Sequence, residues 1–157
     1  MTENKYPKEI ITIEKITDDS TEETEVKTLI NNEYEENAAK VAILFQDRWN
    51  HHDLEGMDRA INFPHARVGA NGKLIITEDP PFLPKRFFKW FIKTTGWNHS
   101  TWDYRRVIQS KPNKVHLAIQ FSRYKADGTK IGEYPSLWVI TNQDGHWGVK
   151  VRSSFAP

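Results

Sequence analysis

The stretch after Trp97 most constrains the fold, because strand-like segments follow one another there with only short turns between them. These segments are predicted at 100–110, 114–125, 130–141 and 146–155, with Asn113, Gly128 and Gly145 in the intervening turns. Strands joined by so few residues pair as antiparallel neighbours, since parallel pairing needs a long crossover connection. The sequence therefore predicts an antiparallel meander in this part of the chain.

Alternation of apolar and polar residues assigns the faces of these strands. In the segment 114–125, one face carries Val115, Leu117, Ile119 and Phe121. In the last segment, the same rule groups Trp147, Val149, Val151 and Phe155 opposite Lys150, Arg152 and Ser154. We expect the apolar group of each strand to face helices, which leaves the other face of the sheet open.

The segment before the meander reads as three helices and one hairpin. Apolar residues recur every three or four positions from Tyr34 to Trp49, which predicts an amphipathic helix over 34–50. Asp53 is the expected N-cap of a short second helix that Pro64 would stop. Strands at 65–68 and 74–77 flank an Asn-Gly turn, and an aromatic third helix around 87–91 is expected to end near Gly96.

Charge is unevenly distributed along the chain, although the net charge is only +1. Residues 1–36 hold 11 acidic and 4 basic side chains, and residues 37–157 hold 10 acidic and 18 basic ones. We interpret residues 1–33 as a flexible acidic extension, with a possible edge strand at 9–16, and residues 34–157 as one domain. The basic residues of the domain are scattered, so we expect no nucleic-acid partner.

Composition excludes several other classes of protein. The chain has no cysteine, so it has neither a disulfide framework nor a thiolate zinc site. No apolar run is long enough for a membrane span or a signal peptide. His51 and His52 are adjacent at a helix end and point apart, so no metal site is expected. The interpretation is a cytoplasmic protein of bacterial type with no cofactor, no metal and no membrane partner.

The order helix, helix, hairpin, helix, meander resembles the nuclear transport factor 2-like superfamily, near its SnoaL-like proteins and an uncharacterised bacterial branch. The resemblance covers about 34–157. It is carried by short sequence stretches such as 49–57, 62–68, 96–103, 114–117, 123–124 and 147–155. It implies an α+β fold, in which a curved antiparallel sheet packs against three helices to form a cone with a pocket. Since this superfamily includes isomerases, dehydratases, epoxide hydrolases, cyclases and non-catalytic binders, the resemblance implies no single chemistry.

Known catalytic patterns of the superfamily are poorly matched. Its ketosteroid isomerases use an aspartate base after the first strand of the domain, where this chain has Ala70 and Asn71. Its epoxide hydrolases use an arginine between two aspartates. Here Asp103 and Arg105 are expected to share a strand face, with an ion pair on the outer face as the simpler explanation.

His65 is the best analogue of the histidines that the scytalone dehydratases of the superfamily use. An ordinary histidine exchanges protons near neutral pH, so His65 is the candidate catalytic acid–base. Arg67 is predicted on the same face, two residues later, and is a candidate anchor for a carboxylate. Hydrogen bonds from both residues to neighbouring strands or helix ends are the structural alternative.

Further candidate ligand-binding residues are an arginine and an aromatic wall. Arg123 continues the apolar face of its strand after Phe121, and a buried guanidinium needs a structural partner or an anionic ligand. The candidate wall for a flat apolar ligand consists of Trp102, Tyr104, Tyr134 and Trp138, which could equally be plain core.

Three functional hypotheses remain open from the sequence. The first is a pocket that binds a small, partly apolar molecule, which could be anionic, without catalysis. The second is a cofactor-free lyase, isomerase or hydrolase with His65 as acid–base and Arg67 or Arg123 as anion clamp. The third is a homodimeric interaction module that pairs through the open face of the sheet.

Overall fold

The computed structural model describes residues 9–17 and 23–157. The strands are β1 (Glu9–Thr17), β2 (Glu23–Ile30), β3 (Ile61–Val68), β4 (Leu74–Thr77), β5 (Trp97–Lys111), β6 (Lys114–Lys125), β7 (Lys130–Gln143) and β8 (His146–Ser154). The helices are α1 (Glu33–Asn50), α2 (Leu54–Arg59) and α3 (Phe87–Thr95). These elements confirm the predicted α+β fold of three helices with a mostly antiparallel sheet.

A six-stranded sheet in the order β4-β3-β8-β7-β6-β5 forms the main layer of the domain. β5 to β8 pair as the predicted antiparallel meander, and β3 and β4 form the predicted hairpin. The two parts are joined by a parallel ladder between β3 and β8, in which Arg67 lies beside Arg152. β1 and β2 form a separate two-stranded antiparallel sheet.

The start of α1 is fixed by side-chain caps. Asn32 accepts a hydrogen bond from the Glu35 backbone N–H at 2.9 Å, as expected of an N-cap residue. The buried Glu35 carboxylate accepts from the backbone of Asn31 and from the Ser110 hydroxyl at 2.7 Å, so it also links the helix to β5. α3 ends at Gly96, whose φ of 74° lies in the left-handed region that glycine tolerates.

The core lies between α1, α2 and the inner face of the sheet. The predicted inner residues Val115, Leu117 and Ile119 are fully buried against Ala38, Val41, Ala42 and Phe45 of α1. A second cluster joins Phe88 and Phe91 of α3 to Trp97. Among the described residues, no helix is long and apolar enough to cross a membrane.

Pro64 does not stop the second helix, contrary to the prediction. α2 ends at Arg59, and β3 begins at Ile61 and runs through the proline. β4 pairs with β3 only from His65 onward, and the ladder to β8 is interrupted between Ile61 and Ala66. Pro64 lies in this interruption, where the missing N–H removes no ladder hydrogen bond.

The predicted faces of β8 are wrong beyond Val149. β7 pairs Ile140 with Val149 but Val139 with Val151, so Lys150 is an extra residue that forms a bulge. A bulge exchanges the inward and outward positions that follow it. Arg152 therefore pairs with the inward Trp138 and faces the interior, while Phe155, predicted to be inward, is exposed.

A second bulge corrects the predicted relation of Asp103 and Arg105. β5 pairs Trp102 with Phe121 and Tyr104 with Gln120, so Asp103 is the extra residue. Arg105 consequently lies inside, where it is buried beside Trp102. Asp103 accepts hydrogen bonds from Gln120 and Ser122 and makes no ion pair with Arg105.

β2 contributes to the interior of the domain through its second half. Val26, Thr28 and Ile30 are buried, and Val26 belongs to the main core cluster. Arg105 donates from Nε to the Thr28 hydroxyl at 2.9 Å and from Nη2 to the Val26 carbonyl at 3.0 Å. The predicted edge strand is β1, paired with β2. Of the extension predicted to be flexible, 1–33, residues 1–8 and 18–22 lie outside the described residues, whereas 9–17 and 23–30 form β1 and β2.

We predict that Thr28→Val destabilises the domain although it keeps the shape of the side chain. The variant removes the acceptor of a buried guanidinium hydrogen bond, which should lower the free energy of unfolding by about 2 kcal/mol. Urea denaturation measures this change. Thr101→Val, at a half-buried position of β5, is the control and should change stability little. Equal stability of the Thr28 variant and the wild type would show that the bond from Arg105 to the Thr28 hydroxyl does not stabilise the attachment of β2.

Candidate functional site

A cavity of about 480 Å³ lies between the inner face of the sheet, α1, α3 and the segment that follows β4. Eight aromatic residues from α1, α3, the sheet and the segment after β4 line it, namely Phe45, Trp49, Phe82, Phe87, Trp90, Phe91, Phe121 and Trp138. Trp90 of α3 and Ile75 of β4 line the cavity and are also exposed. They mark the mouth of the cavity, between α3 and the edge of the sheet.

Two arginines stand side by side on one wall of this cavity. Arg67 of β3 and Arg152 of β8 are direct partners in the parallel ladder, and both line the cavity. Arg67 donates from Nη2 to the carbonyl of Ala156 at 2.7 Å, which holds the segment after β8 against the wall. Like charges on facing strand positions repel each other. Two neighbouring guanidinium groups therefore destabilise the folded protein unless an anion compensates their charge.

His65 supports Arg152 on this wall. The Nε of Arg152 donates to Nε2 of His65 at 3.3 Å, so the neutral imidazole carries its proton on Nδ1. The guanidinium of Arg152 lies over the rings of Phe45 and Phe82, at 4.9 and 5.2 Å from their centroids. One aromatic pair and one histidine thus fix the direction in which Arg152 points.

Burial and neighbouring cations control protonation in this group. Burial of His65, and then the positive charges of Arg152, Arg67 and Lys150, lower the pKa of its imidazole to about 3. Burial is also the main reason that the pKa of Arg152 is lowered to about 9, with smaller effects of Arg67 and Arg123. At neutral pH the wall therefore carries neutral His65 and two charged arginines.

Arg123 supplies a third guanidinium to the cavity from β6. Its side chain is 7% exposed, and its Nε has no hydrogen-bond partner among the described residues. Four rings surround the guanidinium at 4.9 to 5.9 Å, those of Trp49, Phe91, Phe121 and Tyr134. Burial lowers the pKa of Arg123 to about 10, Tyr134 opposes this shift, and Arg67 adds to it.

None of the described residues that line the cavity is an aspartate or a glutamate. Arg105 offers a contrast within the same protein, because it is buried outside this cavity and is bound by Thr28 and Val26. The cavity arginines have aromatic, histidine and carbonyl neighbours, none of which carries negative charge. The site therefore holds positive charge that its lining side chains do not neutralise.

The structure brings together four of the residues predicted from sequence. His65, Arg67, Arg123 and Trp138 all line the cavity. Tyr134 shares the inner face with Trp138 as predicted, and it contacts Arg123 from outside the lining.

Trp102 and Tyr104 do not line the cavity. Trp102 is buried in the core against Trp138, whereas Tyr104 lies on the outer side under Arg106. The bulge at Asp103 separates the two rings, which simple alternation had placed on one face.

Sequence reasoning missed Arg152 as a site residue, because the bulge at Lys150 reverses the faces of β8. It also assigned Phe45, Trp49 and the aromatic residues of α3 to packing alone. A pattern of alternation carries no signal for a single extra residue, so only the pairing with β7 reveals which way Arg152 points. In the described part of the chain, no group of three potential metal ligands comes together.

No family model and no curated protein matches the chain in sequence. Solved structures match it in shape. A protein of unknown function with a cystatin-like fold from Nostoc punctiforme superposes with a TM-score of 0.62 at 14% identity, over 78% of this chain and 90% of the other.

Two further structures agree with this match. A nuclear transport factor 2-like protein from Cytophaga hutchinsonii gives a TM-score of 0.57 at 11% identity, over 80% of this chain and all of the other. A nuclear transport factor 2-like protein with a cystatin-like fold from Novosphingobium aromaticivorans gives 0.62 at 8% identity, over 78% and 80% of the two chains. The architecture and these neighbours together identify the fold of this chain as nuclear transport factor 2-like, also called cystatin-like.

Proposed function

We propose that the protein binds a small, largely apolar organic anion in the cavity. The observation that carries the proposal is the side-by-side placement of Arg67 and Arg152 in a cavity where no described lining residue is acidic. Guanidinium groups withdrawn from water need a compensating charge, and a planar carboxylate matches their donor geometry. The aromatic wall would hold the apolar body of such a ligand.

The energetic cost of placing two cations side by side supports this choice. Two cations beside each other repel, and desolvation makes each less stable than it would be in water. Packing over Phe45 and Phe82 offsets part of this cost for Arg152. An anion between the two arginines would compensate for the lost hydration and relieve the repulsion, so the arrangement favours a negatively charged ligand over a neutral one.

Isothermal titration calorimetry with a matched pair of probes tests the proposal. We expect 2-naphthoate to bind at least about tenfold more tightly than neutral 2-naphthamide, which corresponds to about 1.4 kcal/mol. The two probes share ring and shape, so the difference isolates the charge. Equal affinities, or no binding of either probe, would rule out an anion site.

Arg152→Met provides the corresponding test on the protein. The variant keeps an apolar side chain beside Phe45 but removes one charge of the pair. Its affinity for 2-naphthoate should therefore fall by at least about tenfold. Loss of one of two repelling cations should stabilise the ligand-free variant, whereas the buried His65 Nε2 loses its donor, so the melting temperature should change little.

The control for this variant is Arg106→Met, on the outer side of β5 over Tyr104, which should leave the affinity unchanged. Unchanged affinity in the Arg152 variant would place the anion elsewhere.

Catalysis by His65 is the alternative. The residue lies in the cavity as a lyase, isomerase or hydrolase would require, but its neighbours are cations. With a pKa near 3, the imidazole is unprotonated at neutral pH and is a weak base, and its Nε2 already accepts from Arg152. A role in orienting Arg152 accounts for this geometry better than proton transfer does.

The lowered pKa of His65 predicts a specific loss of stability in acid. The unfolded chain takes up a proton near pH 6.5, whereas the folded protein takes it up only near pH 3, so stability is full above pH 6.5 and falls as the pH drops between these values. Between pH 6 and 4.5, the free energy of unfolding should fall by about 2 kcal/mol more in the wild type than in His65→Gln. Urea titrations at both pH values measure this difference.

The control is His116→Gln, at an exposed position where the imidazole pairs with Gln109. Parallel pH dependence of the wild type and the His65 variant would mean that His65 is not held neutral.

The homodimer proposal has one observation in its favour. Leu137 and Phe155 lie on the outer side of the sheet and are 53% and 65% exposed. Exposed apolar groups of this size are common at association surfaces. Light scattering over a range of concentrations should detect a dimer that Leu137→Ser weakens, and a monomer at every concentration would contradict the proposal.

A further inference from the structure

The cavity has two cationic ends rather than one. Arg67, Arg152 and His65 form the first, through the ladder of β3 with β8 and the bond from Arg152 to His65. Arg123 forms the second, on β6, which is separated from β8 by β7. Two strand spacings correspond to about 10 Å across the sheet.

Register places the two ends apart along the strands as well. On β7, the partner of Arg123 is Gly132 and the partner of Arg152 is Trp138. Both side chains nevertheless line one cavity. They reach it from different positions on the sheet, whereas Arg67 and Arg152 are direct neighbours, so the adjacent pair is better placed to clamp one carboxylate.

Aromatic rings of α1 occupy the space between the two ends. Phe45 lies 4.9 Å from the Arg152 guanidinium and Trp49 lies 5.9 Å from that of Arg123, and the two rings are stacked with centroids 6.1 Å apart. Both rings line the cavity. Along this wall, the rings of Phe45 and Trp49 thus connect the guanidinium of Arg152 with that of Arg123.

We infer that the natural ligand is an elongated dianion, with one carboxylate-like group at Arg67 and Arg152, another at Arg123, and an apolar spacer against Phe45 and Trp49. This inference rests on the proposed function and specifies its ligand class. The buried Arg123, which has no aspartate or glutamate beside it in the described cavity lining, would gain a countercharge. Repulsion among the arginines, which adds to the effect of burial in lowering the pKa values of Arg123 and Arg152, would be relieved at both ends.

A series of flexible diacids tests the inference, because it samples spacers of increasing length. We expect calorimetry with hexanedioate, octanedioate, decanedioate and dodecanedioate to give an affinity maximum at one length. At that length, the diacid should bind at least about fivefold more tightly than the monoacid with the same number of carbons. If every monoacid binds as tightly as its diacid, Arg123 does not form a second anion-binding end of the cavity.

Arg123→Met tests whether Arg123 forms the second cationic end of the cavity. The preference for the diacid should disappear in this variant, while the affinity for 2-naphthoate stays within about twofold of the wild type. Arg123→Lys retains the charge and should keep part of the preference, which also controls for loss of folding. A diacid preference that survives in Arg123→Met would overturn the assignment.

The anion site and the two-ended ligand can be refuted separately. If 2-naphthoate binds no better than 2-naphthamide, the anion site itself is refuted. If 2-naphthoate binds better but no diacid exceeds its monoacid, only the two-ended ligand is refuted. Weakening of both ligands to the same degree in Arg123→Met would show that all three arginines serve a single anionic group, which also refutes the two-ended ligand.

Discussion

The parallel ladder between β3 and β8 is the constraint on which the rest of the site depends. It joins the hairpin of β3 and β4 to the meander, and its register sets Arg67 directly beside Arg152. The bulge at Lys150 then decides that Arg152 points inward. Without this extra residue the β8 side chains would exchange faces, and the cavity would have a valine where it now has a guanidinium.

The site departs from the rules that stabilise the rest of the domain. Outside the cavity, Asn62 is a well-satisfied buried group, which bonds the backbone of β7 and β8 and the ring of His146. Trp102 Nε1 and Asn31 Oδ1 are buried there without a hydrogen-bond partner among the described residues, but neither carries a charge. In the cavity, cations are instead gathered beside aromatic rings and a neutral histidine. Local arrangements that lower stability persist where function requires them, and their concentration in one cavity distinguishes it from ordinary core.

Much of the fold could be predicted from the sequence because periodicity reports burial directly. The stripe from Tyr34 to Trp49 and the alternation in β6 arise from packing against one layer, and both were confirmed. Pro64 was misinterpreted because a proline is tolerated at a break in a ladder, which depends on strand partners that the sequence does not reveal. The parallel pairing of β3 with β8 is likewise a property of the assembled sheet.

The site was only half predictable for the same reason. His65 follows from the resemblance to the superfamily, whereas Arg67, Arg123 and Trp138 follow from alternation within stretches of strand. All four line the cavity. Arg152 lies beyond one bulge, and Tyr104 lies beyond another that turns it away from Trp102. A single inserted residue changes which groups share a face, and the partner strand determines where it is accommodated.

The exposed rim formed by Trp90 and Ile75 has a kinetic consequence for the proposed ligand. Ile75 is the direct partner of Arg67 in the ladder of β3 with β4, so an apolar side chain and a guanidinium meet at this rim. A ligand that enters here would lose water from its apolar body and from its anionic group in the same step. The association rate would then respond both to the size of the side chains at positions 75 and 90 and to ionic strength.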